Sequence, residues 1–134
     1  MPIVWKPRTI LILAGTAAYW LVILVGTNAP GNVVPGGGHN DKVFHFVAFV
    51  GLAVLLCSCA ACFRRPGFLL YAAIIGLAAC YGIVDELTQT LVKNRTADPM
   101  DWLADVCGAI AGTLIFALGM WLFRRRERDH GATG

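Results

Sequence analysis

Four long apolar runs dominate this 134-residue chain and constrain its fold more than any other feature. They cover residues 9–26, 43–63, 68–91 and 100–123. A helix needs about 17–25 mostly apolar residues to cross the hydrocarbon core of a bilayer, and each run meets that length. Charged residues make up only 14% of the chain, against about 25% in an ordinary soluble domain. The sequence therefore predicts an all-α integral membrane bundle of four transmembrane helices, forming a single domain over residues 1–134.

Two alternatives to this fold, a soluble four-helix bundle and a cleaved secretory signal, agree less well with the sequence. A soluble four-helix bundle would carry a polar stripe at helical spacing along each helix, and the first, second and fourth runs lack one. A secretory signal would place Lys6 and Arg8 ahead of an apolar stretch, as the first run does. However, Pro30 directly follows the only plausible cleavage site, after Ala29, so we expect this run to be retained as a span.

Lysine and arginine predict the orientation of the bundle. With four spans, eight of these residues fall on one side of the membrane: Lys6, Arg8, Arg64, Arg65, Arg124, Arg125, Arg126 and Arg128. Only Lys42, Lys93 and Arg95 fall on the other side. Because positive residues favour the cytoplasmic side, we expect both termini to be cytoplasmic in a multi-pass protein of the cell membrane. Attraction to anionic lipids accounts for the basic tail, so we expect no nucleic-acid partner.

Polar residues collect at the predicted outer ends of the spans. Acidic residues there are Asp41, Asp85, Glu86, Asp98, Asp101 and Asp105, accompanied by His45, Gln89 and Arg95. Asp98 directly before Pro99 also predicts the start of the fourth helix, with Asp98 as its N-cap. Ionisable groups within membrane spans are costly and usually face the bundle interior or a water-filled cavity, where they serve a function. The sequence therefore predicts a polar cleft in the outer leaflet, built from three helix ends and the loop that carries Arg95.

Helical spacing predicts which of these side chains meet. Glu86 and Gln89 share one face, whereas Asp85 is about 100° away and cannot point at the same spot. Asp41 and His45 are one turn apart, and Asp101 and Asp105 form another stripe. We expect the following residues to face one another across the cleft, with Asp85 facing elsewhere: His45, Glu86, Gln89, Asp101 and Asp105.

The same residues allow a structural and a chemical interpretation. Structurally, Arg95 would pair with Asp101 or Glu86, and Lys42 with Asp41. Chemically, His45 facing Glu86 and Asp105 could bind a divalent metal or perform acid–base chemistry. No H-x-x-E-H or similar metal motif is present, so the sequence does not identify a metal or another cofactor.

Two glycines predict close helix packing. Gly108 and Gly112 form a small-x-x-x-small pattern in "GAIAG", which lets a neighbouring backbone approach closely. The neighbour is expected to be another span of the same chain, and a second copy of the chain is the alternative.

Residues 41–112 resemble the VanZ-like family of small polytopic bacterial membrane proteins. The resemblance is carried by three segments, "DKVFHFVAF" with Lys42, His45 and Phe46, "GIVDELTQ" with Glu86 and Gln89, and "RTADPMDWLADVCGAIAG" with Arg95, Asp101, Asp105 and Gly108. The family commonly has Asn where this chain has Asp105, so the chain adds an acid to the cleft. Asp85 is not part of the family pattern, and we treat it with Asp41 and Lys42 as secondary.

The resemblance implies a role at the cell envelope, because the family is named for a protein linked to low-level teicoplanin resistance. The first hypothesis is that the cleft binds the head group of a membrane lipid or glycolipid, with Arg95, Lys42 and His45 contacting phosphate. The second is an enzyme that acts on a lipid head group, with Glu86 or Asp105 as base and His45 as acid or metal ligand. The sequence offers no convincing nucleophile, which favours binding over covalent catalysis. A small lipid or solute transporter is the third hypothesis.

Overall fold

Four α-helices make up the fold of the described chain. The computed structural model describes residues 6–28, 39–93 and 95–131, and these form no strand. The helices are α1 (Pro7–Thr27), α2 (His39–Phe63), α3 (Phe68–Gln89) and α4 (Pro99–Gly131). Each helix is long and apolar enough to cross a membrane. The predicted all-α bundle of four transmembrane helices is confirmed, and the chain is a multi-pass membrane protein.

The start of α4 is fixed by the cap that the sequence predicts. Pro99 occupies the first helical position, and the Asp98 carboxylate accepts a hydrogen bond from the Met100 amide at 2.9 Å. This bond satisfies one of the amides that a helix leaves unpaired at its start. The cap also places the Asp98 side chain beside the start of α2.

The far end of α4 extends beyond the predicted span. The helix is 33 residues long, or roughly 50 Å at about 1.5 Å per residue, which exceeds the thickness of a bilayer. The span was predicted to end at Phe123, but the helix continues to Gly131. Residues 124–130 contain neither proline nor glycine, and arginine and glutamate are good helix formers. The helix therefore carries its arginines past the apolar region.

The core lies around α2, which packs most extensively against α4. Phe49, Leu52 and Ala53 of α2 are fully buried. The two backbones approach closely at Gly108 and Gly112 of α4. A side chain on Gly108 would overlap the carbonyl oxygen of Phe46, and one on Gly112 would overlap that of Val50. The α2–α4 pair is thus a close contact that only glycine permits.

Hydrogen bonds between the helices show that α1 runs parallel to α3, and that α2 runs parallel to α4. Thr27 at the end of α1 bonds Asp85 near the end of α3, and His45 near the start of α2 bonds Asp105 near the start of α4. At the opposite end of the bundle, Arg65, Arg124 and Arg128 line one cavity of about 790 Å³. The bundle therefore has an acidic end and a basic end.

The charge difference between the two ends carries a prediction of orientation. We expect the basic end to be cytoplasmic, because positive residues are retained on that side. A reporter fused after Gly134 should be active in the cytoplasm, and Gly37→Cys should react with a membrane-impermeant maleimide in intact cells. Gly37 and Gly134 lie outside the described residues, and the predicted outer position of residues 36–40 stays a prediction. The matched control is Gly67→Cys in the exposed turn between α2 and α3, which should react only after permeabilisation. The reverse pattern would contradict the predicted orientation.

Candidate functional site

Polar side chains from all four helices meet at the acidic end of the bundle. We call the following residues the polar cluster: Asp41, Lys42, His45, Asp85, Glu86, Gln89, Arg95, Asp98, Asp101 and Asp105. Six of them are buried, namely His45, Asp85, Glu86, Gln89, Asp101 and Asp105. Buried charges require partners or a ligand, so the contacts of each residue indicate its role.

Lys42 joins α2 to the start of α4. Its ammonium donates to Asp101 Oδ1 at 2.7 Å and also to Asp98 Oδ2. The predicted pairing of Lys42 with Asp41 is therefore wrong, because the lysine extends across to the capped end of α4. The hydrogen bond from Lys42, with a smaller contribution from the Met100 amide, holds the pKa of the Asp98 carboxyl below its usual range. Asp98 should stay ionised wherever this contact persists.

Arg95 closes over the cluster from the loop between α3 and α4. Its Nη1 donates to Asp41 Oδ2 at 2.8 Å and to Gln89 Oε1 at 3.3 Å. The sequence predicted Asp101 or Glu86 as its partner, and neither forms an ion pair with it within the described residues. Asp101 is instead bonded to Lys42. Arg95 therefore links the start of α2 to the end of α3.

Asp85 is fully buried and faces α1. Its carboxylate accepts hydrogen bonds from Thr27 at 2.8 Å, Asn28 at 3.3 Å and Gln89 at 3.1 Å. It points away from Glu86, as the helical phase predicts, but through Gln89 it still belongs to the same network. Three donors satisfy this acid, and its role in the described structure is to hold α1 against α3.

Glu86 and Asp105 are the acids of the polar cluster that each keep a buried oxygen without a partner in the described structure. One Glu86 oxygen accepts the Asp98 amide at 2.7 Å, and Asp105 Oδ1 lies 2.9 Å from His45 Nδ1. The remaining atoms, Glu86 Oε1, Asp105 Oδ2 and His45 Nε2, are buried and have no hydrogen-bond partner among the described residues. These three residues come from three different helices, so the bundle brings them together by its packing.

Three contributors to the network were not among the residues predicted for the cleft. Asp98 was predicted as a helix cap and as one of the outer acids but not as a cleft residue, yet it contacts both Lys42 and Glu86. Thr27 and Asn28 directly follow the first predicted span, outside the stretch that carries the family resemblance. The signal in the sequence was the change from apolar residues to "GTN" at the end of that span. This change predicts a helix end but not its partner.

A glycine on α3 lets α4 approach the cluster. A side chain added at Gly82 would lie 2.9 Å from Asp105 Oδ2 and 3.1 Å from the Trp102 ring. The Trp102 indole donates to the Ala79 carbonyl oxygen at 3.0 Å, which fixes α4 against α3. Asp105 is thereby held deep in the bundle, within reach of His45.

A cavity of about 310 Å³ opens between α1 and α2 and ends at the polar cluster. Its walls are mainly apolar and include Val22, Ile23, Phe44 and Ala48, with Tyr19 and Gly26 on α1. Its polar end is formed by Thr27, Asp41, His45 and Arg95. A space with apolar walls and one polar end fits an amphiphilic molecule.

Comparison with known proteins identifies the family but no individual relative. Neither a curated protein nor a solved structure matches the chain. A family model described as VanZ/LLP1 matches residues 6–123, which include α1, α2, α3, the apolar part of α4 and every residue of the polar cluster. This match reaches beyond residues 41–112, on which the sequence resemblance rests, and it confirms that resemblance. The chain therefore belongs to the VanZ/LLP1 family.

Proposed function

We propose that the protein binds the head group of a membrane lipid or glycolipid at the polar cluster, with an apolar chain of that lipid between α1 and α2. The observation that carries this proposal is the cavity of about 310 Å³, which joins an apolar wall to Thr27, Asp41, His45 and Arg95. The apolar chain of the bound lipid would pack against the apolar wall of the cavity, and the polar end of the cavity would supply hydrogen bonds to its head group. The orientation predicted from charge would place this site in the outer leaflet of the cell membrane.

The charges of the polar cluster favour a hydroxyl-rich head group over a phosphate. Lys42 is shared by two carboxylates, and Arg95 is bonded to Asp41 and Gln89. A phosphate would have to compete with these acids and would meet Glu86 and Asp105 close by. Sugar hydroxyls both donate and accept hydrogen bonds, so they suit a site that alternates carboxylates with cationic donors. A glycolipid is therefore the head-group class that we propose.

Binding of an envelope glycolipid would connect the site to antibiotic susceptibility. Glycopeptides act at the outer face of the cell membrane, and a protein that holds a glycolipid there would change their access. We therefore propose that this chain contributes to low-level teicoplanin resistance. Cells that express it should tolerate more teicoplanin than cells that express a variant with a filled cavity.

Filling the cavity should remove lipid binding without unfolding the protein. Gly26 lines the cavity, and a side chain added there would meet nothing within 4 Å. Gly26→Leu should therefore occupy the entrance at little cost in stability. We expect a photoreactive glycosyl diacylglycerol to crosslink to α1 and α2 of the wild type, and Gly26→Leu to lower the yield severalfold.

The matched control for this variant is Gly15→Leu on the same helix. Gly15 also has open space around it but does not line the cavity. It should leave both the crosslinking yield and teicoplanin tolerance at their wild-type values. Equal crosslinking in all three proteins would contradict lipid binding in this cavity.

An enzyme acting on a lipid head group is the second candidate function. It is favoured by the 2.9 Å contact between His45 Nδ1 and Asp105 Oδ1, because a buried His–Asp pair is suited to acid–base chemistry. No hydroxyl group hydrogen-bonds to His45 among the described residues, so a covalent intermediate has no candidate nucleophile there. Mass spectrometry of the glycolipid after incubation with the protein separates the two functions, since binding alone leaves its mass unchanged.

A further inference from the structure

The lysine and arginine of the polar cluster do not pair with all of its acids. Lys42 pairs with Asp98 and Asp101, and Arg95 pairs with Asp41. Asp85 is satisfied by three neutral donors, as described above. Glu86 and Asp105 remain, and neither forms an ion pair with lysine or arginine within the described residues. Two carboxylates deep in a membrane bundle therefore lie close to each other and to a histidine, without a lysine or arginine partner among the described residues.

These three side chains are buried and point toward a common centre. His45 is 1% exposed, Asp105 0% and Glu86 6%. One ligand atom from each residue lies within 4.8 Å of one from each of the other two. In addition, each residue has a buried nitrogen or oxygen without a hydrogen-bond partner in the described part of the chain. Burying an unpaired polar atom is unfavourable, so one such atom on each of three neighbouring residues indicates a missing partner.

We propose that His45, Glu86 and Asp105 bind one divalent transition-metal ion, of the Zn²⁺ or Mn²⁺ type. One imidazole nitrogen with two carboxylate oxygens is a donor set that such ions accept. The two positive charges of the ion would balance the two negative charges of the carboxylates. The ion and its three ligands would therefore be neutral overall when His45 is neutral. That balance removes the cost of two uncompensated charges inside the membrane.

The spacing of the three side chains permits this coordination with small adjustments. Ligand atoms each about 2.1 Å from a zinc ion lie roughly 3.4 Å apart at the tetrahedral angle. From separations of at most 4.8 Å, each atom would need to move by about 1 Å or less. Such movements are within reach of side-chain rotation. Three protein ligands also leave at least one coordination position open for water or another ligand.

A second arrangement of acids lies close to the first and provides a competing site. His45 also has ligand atoms of Asp41 and Asp101 within 4.8 Å. Both of those acids, however, are already bonded to a cation, Asp41 to Arg95 and Asp101 to Lys42. A metal there would compete with two ion pairs to lysine and arginine, whereas Glu86 and Asp105 have no such pair among the described residues. The inner group is therefore the one that we assign to the metal.

The experiment uses the purified full chain in detergent, stripped with a chelator and titrated with Zn²⁺ or Mn²⁺ alone. We expect one ion per chain by calorimetry and elemental analysis, a rise in melting temperature, and visible absorption bands on binding of Co²⁺. Glu86→Gln and Asp105→Asn keep the shape of the side chains and should weaken binding about tenfold or more. Size-exclusion chromatography shows that each variant is folded before titration.

The matched control is Asp101→Asn, which removes an acid of the competing group and leaves Lys42 with Asp98. It should bind the ion with nearly wild-type affinity. The assignment would be overturned if Asp101→Asn lost metal binding while Glu86→Gln and Asp105→Asn kept it. It would also be overturned if the wild type bound neither ion, because protons would then compensate the acids. Gly26→Leu should bind the metal normally, so failure of the metal site and failure of the lipid site are distinguishable.

Discussion

Gly108→Leu is expected to prevent the bundle from folding. A side chain at this position would overlap the Phe46 carbonyl oxygen and lie 3.1 Å from Phe49 Cβ. The backbone of α2 and a fully buried aromatic residue cannot both move aside without separating α2 from α4. Overpacking a core typically costs about 1–3 kcal/mol, and overlap with backbone belongs at or above the top of that range. Because side-chain movement cannot relieve an overlap with backbone, the cost should exceed that range and approach the stability of a typical domain, about 5–15 kcal/mol, so we expect little folded protein.

A matched control for this variant is available on the same helix. Gly119 of α4 has nothing within 4 Å of an added side chain, so Gly119→Leu should fold like the wild type. The measurement is the yield of monodisperse protein in detergent, followed by its melting temperature. A normally folded Gly108→Leu protein would show that α2 and α4 are farther apart than described.

The same close contact explains why the polar cluster forms. Asp105 is one helical turn before Gly108, and His45 directly precedes Phe46, whose carbonyl oxygen faces Gly108. Bringing the two backbones together at Gly108 therefore brings His45 Nδ1 and Asp105 Oδ1 to 2.9 Å. A milder variant at this glycine should disturb the proposed metal site before it unfolds the bundle.

Much of the fold could be predicted from the sequence because the membrane imposes simple requirements. Length and hydropathy predicted four helices, since a spanning segment must be long, apolar and helical. The Asp98–Pro99 pair predicted the start of α4 because a cap is a local interaction. The end of α4 was not predicted, because beyond Phe123 the chain leaves the apolar region and hydropathy no longer reports on helix length.

Most residues of the polar cluster could be predicted from the sequence, but their pairing could not. Helical phase separated Asp85 from Glu86 correctly, because that angle depends on one helix alone. It could not assign Arg95 to Asp41 or Lys42 to Asp101, because those contacts depend on how neighbouring helices are rotated about their axes. For the same reason, the contact of Thr27 with Asp85 was not foreseen. A single sequence shows which residues share a face of each helix, but it does not show which neighbouring residues that face contacts.

Asp85→Asn is expected to destabilise the protein strongly. Asp85 accepts from Thr27, Asn28 and Gln89, whereas asparagine would offer one oxygen and an amide group that itself donates. Gln89 could turn its oxygen toward that amide only by presenting its own amide group to Arg95, which now donates to it. Each buried group left unsatisfied costs about 1–3 kcal/mol. We therefore expect a large drop in melting temperature and a loosened α1.

Glu86→Gln, one residue away, should differ sharply in stability. Glutamine keeps an oxygen for the Asp98 amide, and its new amide group would replace an oxygen that has no partner in the described structure. We expect a melting temperature near that of the metal-free wild type, together with loss of metal binding. Adding Arg95→Gln to this variant should not restore metal binding, because Arg95 is paired with Asp41 and not with Glu86. Equal losses of melting temperature in Asp85→Asn and Glu86→Gln would instead place both acids in the scaffold, since a ligand-binding acid can lose its charge without loosening the helices around it.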